Sequence, residues 1–136
     1  MIRPIVHDPF FLGRKSEPAT PADRQVIADL TDTLRANIDR CVGMAANMIG
    51  VRKRVIVFCN GPLLMVMVNP VIAAKSGAYE TEEGCLSLAG VRRATRYRKI
   101  TVQYLDQAFQ PKTGDFEGFT AQIIQHEIDH CEGILI

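Results

Sequence analysis

The chain has no tryptophan, only three histidines, and no excess of either charge: sixteen Lys and Arg stand against fifteen Asp and Glu, a formal net charge of +1. Such a balance gives no electrostatic reason to bind nucleic acid or an anionic membrane. Long apolar runs are absent as well. No stretch approaches the roughly 20 residues that a membrane-crossing helix needs, and the first residues lack the continuous apolar core of a signal peptide. Cysteine is sparse at four residues, and without a secretion signal these are expected as reduced thiols, serving in the core or as metal ligands. Internal repeats and low-complexity tracts are missing too. The expectation is a soluble, cytoplasmic protein. What is present suffices for a core: 136 residues, 47% hydrophobic and 23% charged, suit a single domain over 1–136 that needs no disulfide.

Two of the histidines fall in Gln125-His126-Glu127-Ile128-Asp129-His130. Four residues apart on a helix, they share one face a turn from each other, so both imidazoles reach one metal ion, and Glu127 lies within reach of a water at that ion. Phe116, Phe119, Ile123, Ile124 and Ile128 give this helix an apolar side, Thr120 is a candidate N-cap, and Gly133 suits the C-terminal stop. A catalytic zinc-type site takes three protein ligands and keeps a position for water. Only Cys131 to Ile136 follow the motif, and they hold no histidine, so a third ligand must come from upstream. His7, Cys41, Cys59 and Cys85 are the soft or imidazole candidates there.

Upstream, Thr20-Pro21-Ala22-Asp23 reads as a helix start, with a capping hydroxyl, proline at the first helical position and an acid in the first turn. Val26, Ile27, Leu30, Leu34 and Ile38 continue the spacing of an amphipathic helix from Ala22 to about Asp39. Cys41 to Gly50 is rich in small residues, which let a backbone or a ligand approach closely; taken alone it reads as a tight packing turn. Arg54–Cys59 and Leu63–Val68 are apolar runs joined by Asn60-Gly61-Pro62, the pattern of a hairpin, with Cys59 expected as a core thiol. Asn69-Pro70 is expected to end the second strand, and Val71–Ala74 and Gly77–Thr81 to be separate pieces around a turn at Lys75-Ser76. Arg92, Arg93 and Arg96 read as a solvated charge run. Ile100–Leu105 alternates as a half-buried strand, and Asp106–Asp115 reads as a turn region. Asp129 is a candidate to orient a ligand histidine and equally a solvated helix residue, Cys131 reads as packing, and Glu83 is either a pocket wall or an ion-pair partner. Helix, several strands, helix: the fold class is α+β.

Three stretches together, Val42-Gly43-Met44-Ala45-Ala46, Glu83-Gly84-Cys85-Leu86-Ser87 and Gln125-His126-Glu127-Ile128-Asp129-His130, resemble the peptide deformylase family in order and separation. The resemblance implies antiparallel β-sheets around a central C-terminal helix bearing His126 and His130. It also implies Cys85 as the third ligand of one divalent metal ion, Fe(II) in the cell, with Zn, Ni or Co able to replace it. The implied activity is removal of the formyl group from the N-terminal formylmethionine of nascent polypeptides. Glu127 would be the general base, and the backbone N–H of Leu86 a donor to the oxyanion. Val42 and Gly43 would line the peptide as an added strand, and Ile123 the pocket for the methionine side chain. The implied partners are N-formylmethionyl peptides, met near the ribosomal exit site, with no nucleic acid and no membrane.

The sequence departs from the family where Cys41 replaces the usual glycine, where Ala89 replaces a frequent proline, and where Met48 replaces a glutamine. That glutamine donates an N–H to the oxyanion, and methionine has none. The alternative to a working enzyme is therefore a weakened or inactive paralogue that binds metal and peptide N-termini.

Overall fold

A computed structural model describes all residues, 1–136. Its centre is a strand with two apolar faces. β2, Val55–Asn60, pairs on one side with β1, Gly43–Ala45, and on the other with β3, Leu63–Gly84. β4, Val91–Leu105, and β5, Pro111–Glu117, complete a five-stranded antiparallel sheet in sequence order. Successive side chains on a strand point to opposite faces. Val55 and Val57 therefore join one core with Leu30, Leu34, Met44 and Met48, while Ile56 and Phe58 join another with Ala45, Ile100, Ile124 and Ile128.

Each core is closed by a helix. A short α1, Pro9–Leu12, precedes α2, Arg24–Ala36, which buries Ile27, Leu30 and Leu34 against the first core. The predicted start is correct in chemistry: Thr20 and Asp23 form a reciprocal capping box, and a 3₁₀ turn over Pro21–Asp23 leads into α2. The helix ends three residues before the expected Asp39, and Ile38 lies exposed beyond it. α3, Gly118–Cys131, covers the second core. It starts two residues before Thr120 because Gly118, at φ +64°, turns the chain out of β5. At its other end Gly133, φ +75°, stops it as expected, with the N–H of Ile134 donating to the Asp129 carbonyl at 2.9 Å.

β3 differs most from expectation. Asn69-Pro70 does not end it and Lys75-Ser76 is no turn: Lys75 and Ser76 pair with Ile100 and Lys99. Asn69 and Pro70 instead sit in a register shift between Val68 and Val71, and a second shift follows between Ile72 and Ala74. Such bulges bend a strand without ending it. Asn69, at φ +50°, is held there by its side-chain amide, which donates to the Ala19 carbonyl at 3.0 Å and accepts from the Ala19 N–H at 2.8 Å. The expected turn over Asp106–Asp115 shrinks because Pro111–Glu117 pairs with β4. Cys59 lies half-buried near the end of β2, outside the core. No helix is long and apolar enough to cross a membrane.

Candidate metal centre and peptide groove

α3 brings His126, Glu127 and His130 onto its buried side, and all three are at most 8% exposed. The Cys85 thiol arrives from just beyond β3. Its Sγ lies 3.3 Å from His130 Nε2, which lies 3.1 Å from His126 Nε2. The donor atoms of Cys85, His126 and His130 lie within 4.8 Å of one another, and they form the only such His/Cys/Asp/Glu cluster in the chain. Of the four upstream candidates the structure brings Cys85 alone to the histidines. His7 goes elsewhere: its Nδ1 meets the Ser87 carbonyl at 3.0 Å, tying the N-terminal segment to the loop that carries Cys85.

The donor set suits a divalent cation. His126 Nδ1 lies 2.8 Å from the Glu83 carboxylate, so that nitrogen donates to Glu83 and Nε2 is the nitrogen that faces the cluster. Burial disfavours a charge on His126, but hydrogen bonds with Cys85 and Glu83 outweigh it and push the pKa up to about 10. Burial, and next the charge of His126, pull His130 down to about 3. Two facing imidazole nitrogens and a thiol thus converge on one point, in a place where one ion would satisfy all three donors.

Glu83 and Arg96 hold this arrangement from behind. Arg96, at the centre of β4, is 4% exposed; its guanidinium donates to Glu83 at 2.7 and 2.9 Å and to Asp129 of α3 at 2.7 Å. Burial alone would raise Glu83, yet hydrogen bonds from His126 and Arg96 bring its pKa down to about 2. The expected solvated charge run is corrected here: its third arginine is a buried tie between the sheet, the histidine–cysteine cluster and the helix. Glu83 proves to be both, paired with Arg96 and part of the wall of the neighbouring cavity, and Asp129 braces Arg96 and not a histidine. Gln122 completes the group, donating to Glu83 at 2.9 Å. A lone arginine in a basic run carries no sequence signal of burial, although the alternation in β4 places Ala94, Arg96, Ile100 and Val102 on one face.

A cavity of about 500 Å³ opens beside the cluster, with Val42, Gly43, Met48, Cys85, Leu86, Ile123, His126 and Glu127 in its wall. All the sequence-predicted site residues except His130, which lies fully buried behind them, border this space. Phe119, 64% exposed, and Arg40 stand in its wall as well, and sequence reasoning assigned neither to the site. β1 is an edge strand with one side paired to β2, leaving its other edge toward the cavity. Glu127 is buried, and burial pushes its carboxyl up to about 7; one of its oxygens, Oε1, has no protein partner. Gly43 is what admits it, since a Cβ at that position would meet Glu127 Oε2 at 2.9 Å and Ile123 Cγ2 at 2.7 Å. Cys41 turns its thiol onto the Gly43 carbonyl at 3.0 Å, and burial raises its pKa to about 12, so it stays a neutral thiol. Met48 is 1% exposed and packs in the core beneath α2 while touching the cavity.

The family model for polypeptide deformylase matches residues 2–136. The chain is 62% identical to a curated peptide deformylase of Clostridium beijerinckii, covering 100% of both chains. It is 38% identical to peptide deformylase 2 of Clostridium acetobutylicum over 91% of this chain and 85% of the other. Among solved structures it superposes on a peptide deformylase from Legionella pneumophila with a TM-score of 0.88 and 36% identity, covering 99% of this chain and 83% of that one. A class I type b peptide deformylase from Acinetobacter baumannii, crystallised with Met-Ala-Ser bound, gives a TM-score of 0.89 at 29% identity over 99% and 97% of the two chains.

Proposed function

The chain belongs to the peptide deformylase family, and from that premise we propose that Cys85, His126 and His130 hold its metal ion while Glu127 moves the protons of the reaction. The protein is a metal-dependent hydrolase that removes the formyl group from the N-terminal methionine of new polypeptides. Full-length identity of 62% to a curated deformylase favours this over the non-catalytic reading that Met48 and Cys41 raised. A bound divalent ion supplies Lewis-acid polarisation of the formyl carbonyl and a lowered pKa for water. A thiolate with two imidazoles suits Fe(II), Zn, Ni or Co, and we assign Fe(II) in the cell.

Convergence of the three donors beside a buried carboxyl poised near neutrality carries the assignment. At about 7, Glu127 accepts a proton from the attacking water at physiological pH and returns it to the departing amine, the role a general acid–base has at its optimum. The backbone N–H of Leu86, beside Cys85 in the cavity wall, donates to the developing oxyanion. The peptide adds as a strand along the open edge of β1 at Val42 and Gly43, so that main-chain hydrogen bonds accept many sequences. Ile123 contributes the apolar wall for the methionine side chain. N-formylmethionyl chains arise at the ribosome, and we place the enzyme in the cytoplasm near the exit site.

Turnover of a short formylmethionyl peptide by protein loaded anaerobically with Fe(II) or Ni(II), with occupancy measured in the same sample, tests the reading. Glu127→Ala is expected to keep its metal and lose at least 100-fold in kcat. A variant as active as the parent overturns the role of Glu127.

A further inference from the structure

His126 and His130 are unequally supported. The outer nitrogen of His126 is held by Glu83 at 2.8 Å, whereas His130 Nδ1 is buried with no protein partner. Metal-binding imidazoles are ordinarily oriented by a hydrogen bond to the nitrogen facing away from the ion. A buried N–H without one costs about 1–3 kcal/mol. Something must therefore stand behind His130.

Only five buried side-chain atoms in the chain lack a protein partner, and two besides His130 Nδ1 belong to residues fastened to the same end of α3. Asn47, 1% exposed, donates its Nδ2 to the His130 carbonyl at 3.0 Å and leaves its Oδ1 unpaired. Ser16 donates its backbone N–H to the carbonyl of Cys131 at 2.9 Å and leaves its buried Oγ unpaired. The amide orientation of Asn47 is fixed by that carbonyl, since a flipped amide would set oxygen against oxygen. An acceptor, a hydroxyl and an imidazole N–H, anchored to adjacent residues of one helical turn, match the three partners that a buried water typically holds.

We infer that Asn47 and Ser16 bind one structural water behind His130, and that this water accepts from His130 Nδ1–H and so fixes the ring with Nε2 toward the ligand cluster. Asn47 and Ser16 are positioning residues: neither touches substrate, and both act through His130. The inference rests on the reading of Cys85, His126 and His130 as the ligands. It also gives the Cys41–Gly50 stretch a second role, with its Met48 toward the cavity and its Asn47 toward the metal ligand.

The test uses full-length protein loaded with Zn(II). Competition with a chelator measures affinity in the parent, Asn47→Leu and Ser16→Ala, and ¹⁵N-histidine NMR reads the tautomer and exchange of the His130 ring proton. Expected are a slowly exchanging Nδ1–H on His130 in the parent and a loss of affinity of about 10- to 100-fold in Asn47→Leu, with a smaller loss in Ser16→Ala. Unfolding midpoints of the metal-free variants separate weakened binding from damaged packing, and Ser16→Ala serves if Asn47→Leu does not fold. Unchanged affinity with an unchanged His130 signal in a folded variant overturns the inference. A parent protein that binds no Zn(II) overturns the ligand reading itself.

Discussion

Met48 stands where the family resemblance leads one to expect a glutamine, and of the departures read from the sequence it is the one that removes a hydrogen-bond donor. A thioether cannot donate to an oxyanion, and one such donor is typically worth about 100- to 1000-fold in turnover. Met48 already touches both core and cavity, so a side chain of similar length placed there reaches the same space. Met48→Gln is expected to raise kcat by about tenfold or more with little change in KM, at a cost of about 1 kcal/mol for burying the amide; steady-state kinetics and urea unfolding check both. An unchanged kcat would mean that the remaining donors already saturate the oxyanion site. Gly43 makes the opposite case, because there it is the absence of a side chain that functions. The Cβ of Gly43→Ala would press on Ile123 and Glu127, and a base displaced by about 1 Å costs on the order of 100-fold. The variant should bind metal as the parent does and fail in turnover, which separates a displaced base from a lost ion.

The elements differ in how openly the sequence announces them. α2 and the β2–β3 hairpin were legible because apolar spacing, the capping box and Asn60-Gly61 all act over a few residues. The length of β3 was not, since Asn69-Pro70 stops a strand by local rules and bulges one here only because Ala19, distant in sequence, satisfies its amide. Metal ligation followed the same division. The i, i+4 pair on α3 was visible from spacing, whereas Cys85 competed with three other residues until the family resemblance chose it. Arg96 was misread because its partners come from two other elements. It joins β4 to Glu83 of β3 and Asp129 of α3 by three charge-assisted hydrogen bonds in a nearly closed space. Arg96→Met is therefore expected to destabilise by about 3–5 kcal/mol, chiefly by leaving the Glu83 charge buried without its cation. Adding Glu83→Gln should recover part of that loss in urea unfolding, and full additivity of the two changes would refute the coupling.

Across the whole molecule, one helix serves as both wall and proposed metal site, because α3 closes the second core with one set of residues and carries two of the proposed ligands with another. Its last turn is accordingly gripped from several directions: Ser16 on the Cys131 carbonyl, Arg54 on Glu132 at 2.9 Å, and Gly133 packed where a Cβ would meet Gly13 and Arg14 at 2.8 Å. Cys131 sits inside that grip, 0% exposed, and burial raises its thiol to about 12 from an ordinary 9. The consequence for stability has a definite sign. Between these values the unfolded chain releases the Cys131 proton and the native protein keeps it, so the unfolded state binds fewer protons and stability falls as pH rises. A single group in this condition contributes a slope of up to about 1.4 kcal/mol per pH unit, beginning near pH 9. Urea unfolding from pH 8 to 10.5 should show a declining free energy whose slope is shallower in Cys131→Ala, while the same variant at pH 7 loses only a small packing term. A Cys131→Ala profile parallel to that of the parent would place the alkaline sensitivity elsewhere, with Cys41 the next group to remove, since burial raises it to about 12 as well.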